Sequence, residues 1–67
     1  MDWKERLGKN VLKLRSAKCW SQQDLAGEAE LSLRYLAGVE RGEENPSLET
    51  IVSIANALEV SPALLFE

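Results

Sequence analysis

The side chains of this 67-residue chain that could do chemistry are hydrogen-bonding groups rather than catalytic ones. Histidine is absent, Cys19 is the single cysteine, and no nucleophile–base constellation is visible. No glycine loop of the kind that cradles phosphate follows a strand. An enzyme is therefore not expected, nor a cofactor, a small-molecule substrate or a Cys/His metal site. Arg34 is the most informative side chain. On a helical wheel it shares a face with Ala37, Gly38 and Arg41, opposite Leu36 and Val39. In a DNA major groove such a guanidinium can bond guanine O6 and N7 bidentately. Phosphate contact, or no DNA contact, are the readings left open beside it. Gln22, at the first turn of a helix, can donate to phosphate with help from the helix N-terminus, or it is an ordinary exposed glutamine. Leu33 either presses on a thymine methyl or seals the core edge beside Leu36. Tyr35 either offers its hydroxyl to a phosphate or packs its ring. Trp3 and Trp20 read as packing groups and Cys19 as a small residue without a redox role.

The elements that must position these groups follow from periodicity and caps. Leu7, Val11 and Leu14 recur at i, i+4 and i+7, so a first helix is expected over about Trp3–Ala17. Ser21 with Asp24 fits a capping box opening a second helix, about Gln22–Ala29, that buries Leu25, Ala26 and Ala29. Ser32 caps a third, about Leu33–Arg41, with Leu36 and Val39 inward and Gly42 as its stop. Two short helices joined by a turn of about three residues make a helix-turn-helix, whose second helix enters the major groove. Glu43-Glu44-Asn45-Pro46 reads as a loop. Ser47 caps a fourth helix with the stripe Leu48, Ile51, Ile54, Ala55 and Leu58. Ser61-Pro62 opens a short fifth through Ala63-Leu64-Leu65-Phe66. There is no β pattern.

Sixty-seven residues allow one domain with a core near the lower limit for independent folding. The 45% hydrophobic and 28% charged content fits a globular chain rather than a disordered one. No apolar run approaches a membrane span and the start lacks a signal-peptide pattern. A cytoplasmic protein with no membrane partner is the expectation. The net charge of −3 argues against non-specific nucleic-acid binding, but it is unevenly placed. Residues 1–20 hold six Lys/Arg against Asp2 and Glu5, whereas residues 21–67 hold only Arg34 and Arg41 against nine acids. One basic face for phosphates and a plain solvated helix face explain the first segment equally well.

Arg15 lies four residues after Val11, near the stripe of the first helix, and Glu40 lies four after Leu36, flanking that of the third. Two opposite charges on two core-facing stripes should pair, since stranding either one would cost several kcal/mol. A structural salt bridge is expected there, the alternative being two independent solvated charges.

Leu7-Gly8-Lys9-Asn10-Val11, Leu14-Arg15, Trp20-Ser21-Gln22, Asp24-Leu25-Ala26, Glu40-Arg41-Gly42, Asn45-Pro46-Ser47-Leu48-Glu49 and Ala57-Leu58-Glu59-Val60-Ser61 together resemble the XRE-type helix-turn-helix proteins, the Cro and phage-repressor family. The stretch Tyr35-Leu36-Ala37-Gly38-Val39-Glu40-Arg41 is similar to the controller proteins of restriction–modification systems, which are small, single-domain and dimeric. The resemblance implies an all-α, compact five-helix, lambda-repressor-like domain over residues 1–67. It implies that Ser32, Leu33, Arg34 and Gly38 face base edges. It places Arg41 on the DNA backbone, Asn45 in a loop approaching phosphate, and Gln22 where a glutamine braces phosphate and the third helix. Arg15 and Glu40 match the family's interhelix salt bridge. Several departures stand out. Glu30 occupies a turn position where glycine is frequent, so a left-handed backbone there would cost roughly 1 kcal/mol. Leu33 replaces a more usual polar or basic residue and Gly38 offers no side chain, while Glu43 and Glu44 replace basic loop residues.

The expected activity is sequence-specific binding of double-stranded DNA by a homodimer on a two-fold operator, because one short helix reads only about four base pairs. Leu64, Leu65 and Phe66 crowd a fifth helix of barely one turn, so an exposed dimer patch is expected there; the alternative is that all three finish the monomer core. A protein–protein module of antitoxin-like or adaptor type, with weak or no DNA binding, is the competing expectation, favoured by the acidic balance after residue 20.

Overall fold

The computed structural model describes residues 2–67. Four α-helices follow one another: α1 (Trp3–Ala17), α2 (Gln22–Glu28), α3 (Leu33–Glu40) and α4 (Leu48–Leu58). The C-terminal segment Pro62–Phe66 is a 3₁₀ turn, not the fifth α-helix that Ser61-Pro62 suggested. Five residues are too few to repay α-helix nucleation, and the tighter turn satisfies short segments.

Serine starts all but the first of these elements. The Ser21 hydroxyl accepts from the Asp24 N–H at 3.1 Å while the Ser21 N–H donates to the Asp24 carboxylate at 2.9 Å, a complete capping box. Ser32 accepts from the Tyr35 N–H at 3.0 Å, Ser47 from that of Thr50 at 3.2 Å and Ser61 from that of Ala63 at 3.3 Å.

The helix ends share a device that residue type signals only at Gly42 and Glu30. Gly42 follows α3 with φ 76°, as its residue type suggested. Cys19, Glu30 and Glu59 adopt the same left-handed backbone, with φ of 60°, 59° and 62°. Each turn closes on its helix: the N–H groups of Trp20, Leu31 and Val60 donate to the carbonyls of Arg15, Ala26 and Ala55. Glu30 thus carries the strain expected of it, and Cys19 and Glu59 carry it unannounced.

The expected stripes converge on one core. Leu7, Val11, Leu25, Leu36, Val39, Ile54 and Leu65 are the large side chains buried almost completely, with Ile51, Ala55 and Leu58 beside them. Fully burying such a side chain is worth about 1.5–3 kcal/mol. Leu14, expected in the stripe, is half-buried against that core. Leu48 departs from expectation, being 74% exposed at the first position of α4, while Pro46 two residues before it is buried. Gly8 lets α1 approach α3 closely. A Cβ there would stand 2.6 Å from the carbonyl oxygens of Val39 and Glu40.

Candidate nucleic-acid interface

The turn residues 29–32 hold α2 and α3 as a pair, and the seat of α3 is a polar cluster centred on Glu40. Arg15 Nε donates to Glu40 Oε2 at 2.7 Å and Nη2 donates to Oε1 at 3.0 Å, a bidentate pair. Arg15 Nη1 donates to the Trp20 carbonyl at 2.8 Å, tying the α1–α2 junction into the same cluster. Both charges are nearly enclosed, with side-chain exposures of 12% and 5%. The hydrogen bond to Glu40 raises the Arg15 guanidinium above its ordinary pKa, against the lowering effect of burial. The salt bridge expected from the two stripes is present.

Gln22 joins this cluster. Its Nε2 donates to Glu40 Oε1 at 2.8 Å, so α1, α2 and α3 all meet at one carboxylate. Gln22 is half-buried rather than an exposed glutamine. A second amide N–H and the carbonyl oxygen remain for other partners.

The face of α3 turned from the core presents Leu33, Arg34 and Arg41, all exposed. The Arg34 side chain makes no hydrogen bond or ion pair with the other described residues, so its guanidinium is available. Leu33 is 46% exposed and does not seal the core edge. Ser32 is exposed, but its hydroxyl is engaged as the cap of α3. Tyr35 is half-buried with its ring packed against the core cluster. Arg41 Nε forms an exposed ion pair with Glu43 Oε1 at 3.1 Å, which any phosphate would have to replace. Asn45 is exposed on the following loop.

Gly38 requires a correction. It lies on the angular sector of Arg34 and Arg41, but it is buried and not open to a base edge. The side chain of Glu44 covers it: a Cβ on Gly38 would meet Glu44 Cγ and Oε2 at 2.8 Å. A second correction concerns Leu65, which is completely buried in the chain's own core and has no surface to give a partner. The chain's C-terminal turn is pinned on α1, where Asn10 Nδ2 donates to the Leu65 carbonyl at 2.8 Å, a contact with no local sequence signal. Leu64 is half-buried and Phe66 is 36% exposed, with its ring 6.3 Å from that of Trp3.

The basic first segment divides. Lys18 pairs with Glu59 at 3.1 Å and lies 4.7 Å from the Trp20 ring centroid. Arg6 Nη1 donates to the carbonyl of Glu67 at 3.4 Å. Lys9 and Lys13 stay exposed on α1.

Comparison with known proteins agrees with this geometry. The helix-turn-helix family profile matches residues 11–65. The control protein C.SmaI of Serratia marcescens is 42% identical over 66 residues, spanning 97% of this chain and 79% of that protein. An uncharacterized HTH-type transcriptional regulator, y4dJ of Sinorhizobium fredii, is 36% identical over 61 residues, covering 91% of this chain and 79% of the relative. Among solved structures, the restriction-modification controller protein C.AhdI from Aeromonas hydrophila superimposes with a TM-score of 0.91 at 41% identity, over 94% of this chain and 96% of that one.

Proposed function

The chain belongs to the helix-turn-helix family and is a DNA-binding transcriptional regulator; from that premise we propose that it reads a two-fold operator as a homodimer, with α3 in the major groove. The observation carrying this reading is the exposed Arg34, unpaired on a helix whose seat is locked to both α1 and α2 through Glu40. A recognition helix must be held rigidly if its guanidinium is to meet guanine O6 and N7 together. Arg41 and Asn45, next along the same edge, supply phosphate contacts that fix register, and Gln22 supplies a further one through its spare N–H. Ser32 and Leu33, at the start of α3, complete the base-facing set, with Tyr35 behind them.

The dimer rests on Phe66 with Trp3, an exposed aromatic pair on a domain of this size, flanked by Leu64. Two-fold pairing of that patch is isologous and closed. Reading two half-sites requires two copies of α3 about one helical turn of DNA apart, roughly 34 Å, and doubles the sequence read. Glu43 and Glu44 beside α3 favour the competing role as a protein–protein module.

Selection of binding sites from random duplexes, followed by gel-shift titration at low and moderate salt, tests the proposal. The expected result is an inverted repeat with half-sites about one turn apart. Enrichment of no sequence, with no shifted species even at low salt, rejects DNA reading and leaves the protein–protein role.

A further inference from the structure

Glu44 is drawn onto α3 by the shape of the backbone. Gly42, at φ 76°, reverses the chain, and the Glu43 N–H donates to the Gly38 carbonyl at 2.9 Å. The Glu44 side chain then folds back into the space that Gly38 leaves, where even a methyl group would collide with it. Its carboxylate receives no hydrogen bond and pairs with no cation among the described residues. Glu43, its neighbour, is paired with Arg41 instead.

An ionised carboxylate offers acceptors only. Toward phosphate it is repulsive, and toward the acceptors of guanine or thymine it is left unpaired. Toward the N4 amino group of cytosine in the major groove it is a direct partner, whereas the N6 amino group of adenine stands beside the N7 acceptor, which repels the second carboxylate oxygen. Resting on the placement of α3 proposed above, we infer that Glu44 is a specificity-determining residue that selects cytosine, with Gly38 the gap that admits it. Gly38 lies four residues beyond Arg34 along α3, about 6 Å at 1.5 Å per residue, so the preferred cytosine belongs to the same half-site as the guanine read by Arg34. The carboxylate weakens binding to DNA in general and rejects sites lacking an amino donor at that position.

The test compares the wild type with Glu44→Ala, Glu44→Gln and Gly38→Ala, each checked for an unchanged far-ultraviolet circular dichroism spectrum. Binding sites are selected from random duplexes, then affinities are measured for the selected site and its single-base variants. For the wild type, changing the cytosine is expected to weaken binding about tenfold. Glu44→Ala should flatten that position alone. Glu44→Gln should move the preference toward adenine, whose N6 and N7 suit an amide. Gly38→Ala should flatten the same position with the glutamate still present, because the new methyl displaces it. If Glu44→Ala tightens every site by one factor and preserves every preference, Glu44 is a repelling charge and the inference falls. A wild type that selects no sequence overturns the DNA reading itself, which is a separate outcome.

Discussion

Arg15 on α1 and Glu40 on α3 join by two hydrogen bonds of 2.7 and 3.0 Å, and the same carboxylate takes a third from Gln22 on α2. Gly8, about two turns before Arg15, allows the helix axes to come close enough for this. Side chains in a helix lean toward its N-terminus, so Arg15 reaches back over the region where α3 crosses. The cluster has no buried side-chain polar atom lacking a partner among the described residues, which is the condition for a nearly enclosed ion pair to be tolerated.

Removal of the central carboxylate is therefore expected to be costly. Glu40→Ala should lower stability by about 2–4 kcal/mol, because it strands an arginine with little access to water. Gln22→Ala should cost less, about 1 kcal/mol, since it deletes one neutral donor and leaves the pair intact. Urea denaturation measures both, and a Glu40→Ala midpoint equal to wild type would show that the cluster does not hold the fold.

Arg34 and Arg41 should separate specificity from affinity. Arg34→Ala is expected to cost about 1–3 kcal/mol on the selected operator and less on random DNA. Arg41→Ala should weaken both alike and reduce the salt dependence of binding. Equal losses on both DNAs for Arg34→Ala would reassign that residue to the phosphate backbone.

Neighbouring positions of the C-terminal turn should behave differently. Phe66→Glu should leave the fold intact, shift the chain toward monomer in analytical ultracentrifugation and weaken operator binding. Leu65→Ala should instead destabilise the monomer by about 2–5 kcal/mol, the cost of truncating a buried leucine. A chain that is monomeric up to about a hundred micromolar, with operator binding untouched by Phe66→Glu, would exclude this dimer surface.

The strained turn between α2 and α3 offers a gain. Glu30 holds φ at 59° and is exposed, so Glu30→Gly relieves a left-handed backbone costing about 1 kcal/mol, partly offset by the greater freedom of glycine when unfolded. A rise in Tm of a few degrees is expected, since about 1 kcal/mol corresponds to roughly 4–8 °C in a domain of this size. Glu30→Ala, which keeps the Cβ, should show no such rise. Equal melting of both variants would mean that the turn is unstrained.

Local chemistry determined much of this protein before any contact was formed. Ser21, Ser32, Ser47 and Ser61 mark their element starts because an N-cap bond reaches only two or three residues ahead. The apolar stripes name nearly all of the core because helical periodicity settles which face is inward, and the same periodicity put Arg15 and Glu40 where they had to meet. The tertiary structure decided what depends on two segments arriving together. Cys19 and Glu59 turn left-handed without glycine because the residues after them must return to the core, and that demand comes from packing. Leu65 rather than Phe66 is buried because Asn10 and α1 hold the last turn at one rotation. Gln22 became part of the α3 seat only when a carboxylate 18 residues away came within reach. Glu44 came to lie on α3 because Gly38 left a gap that no helical wheel can show, since a wheel records angles along one helix and not what folds back over it.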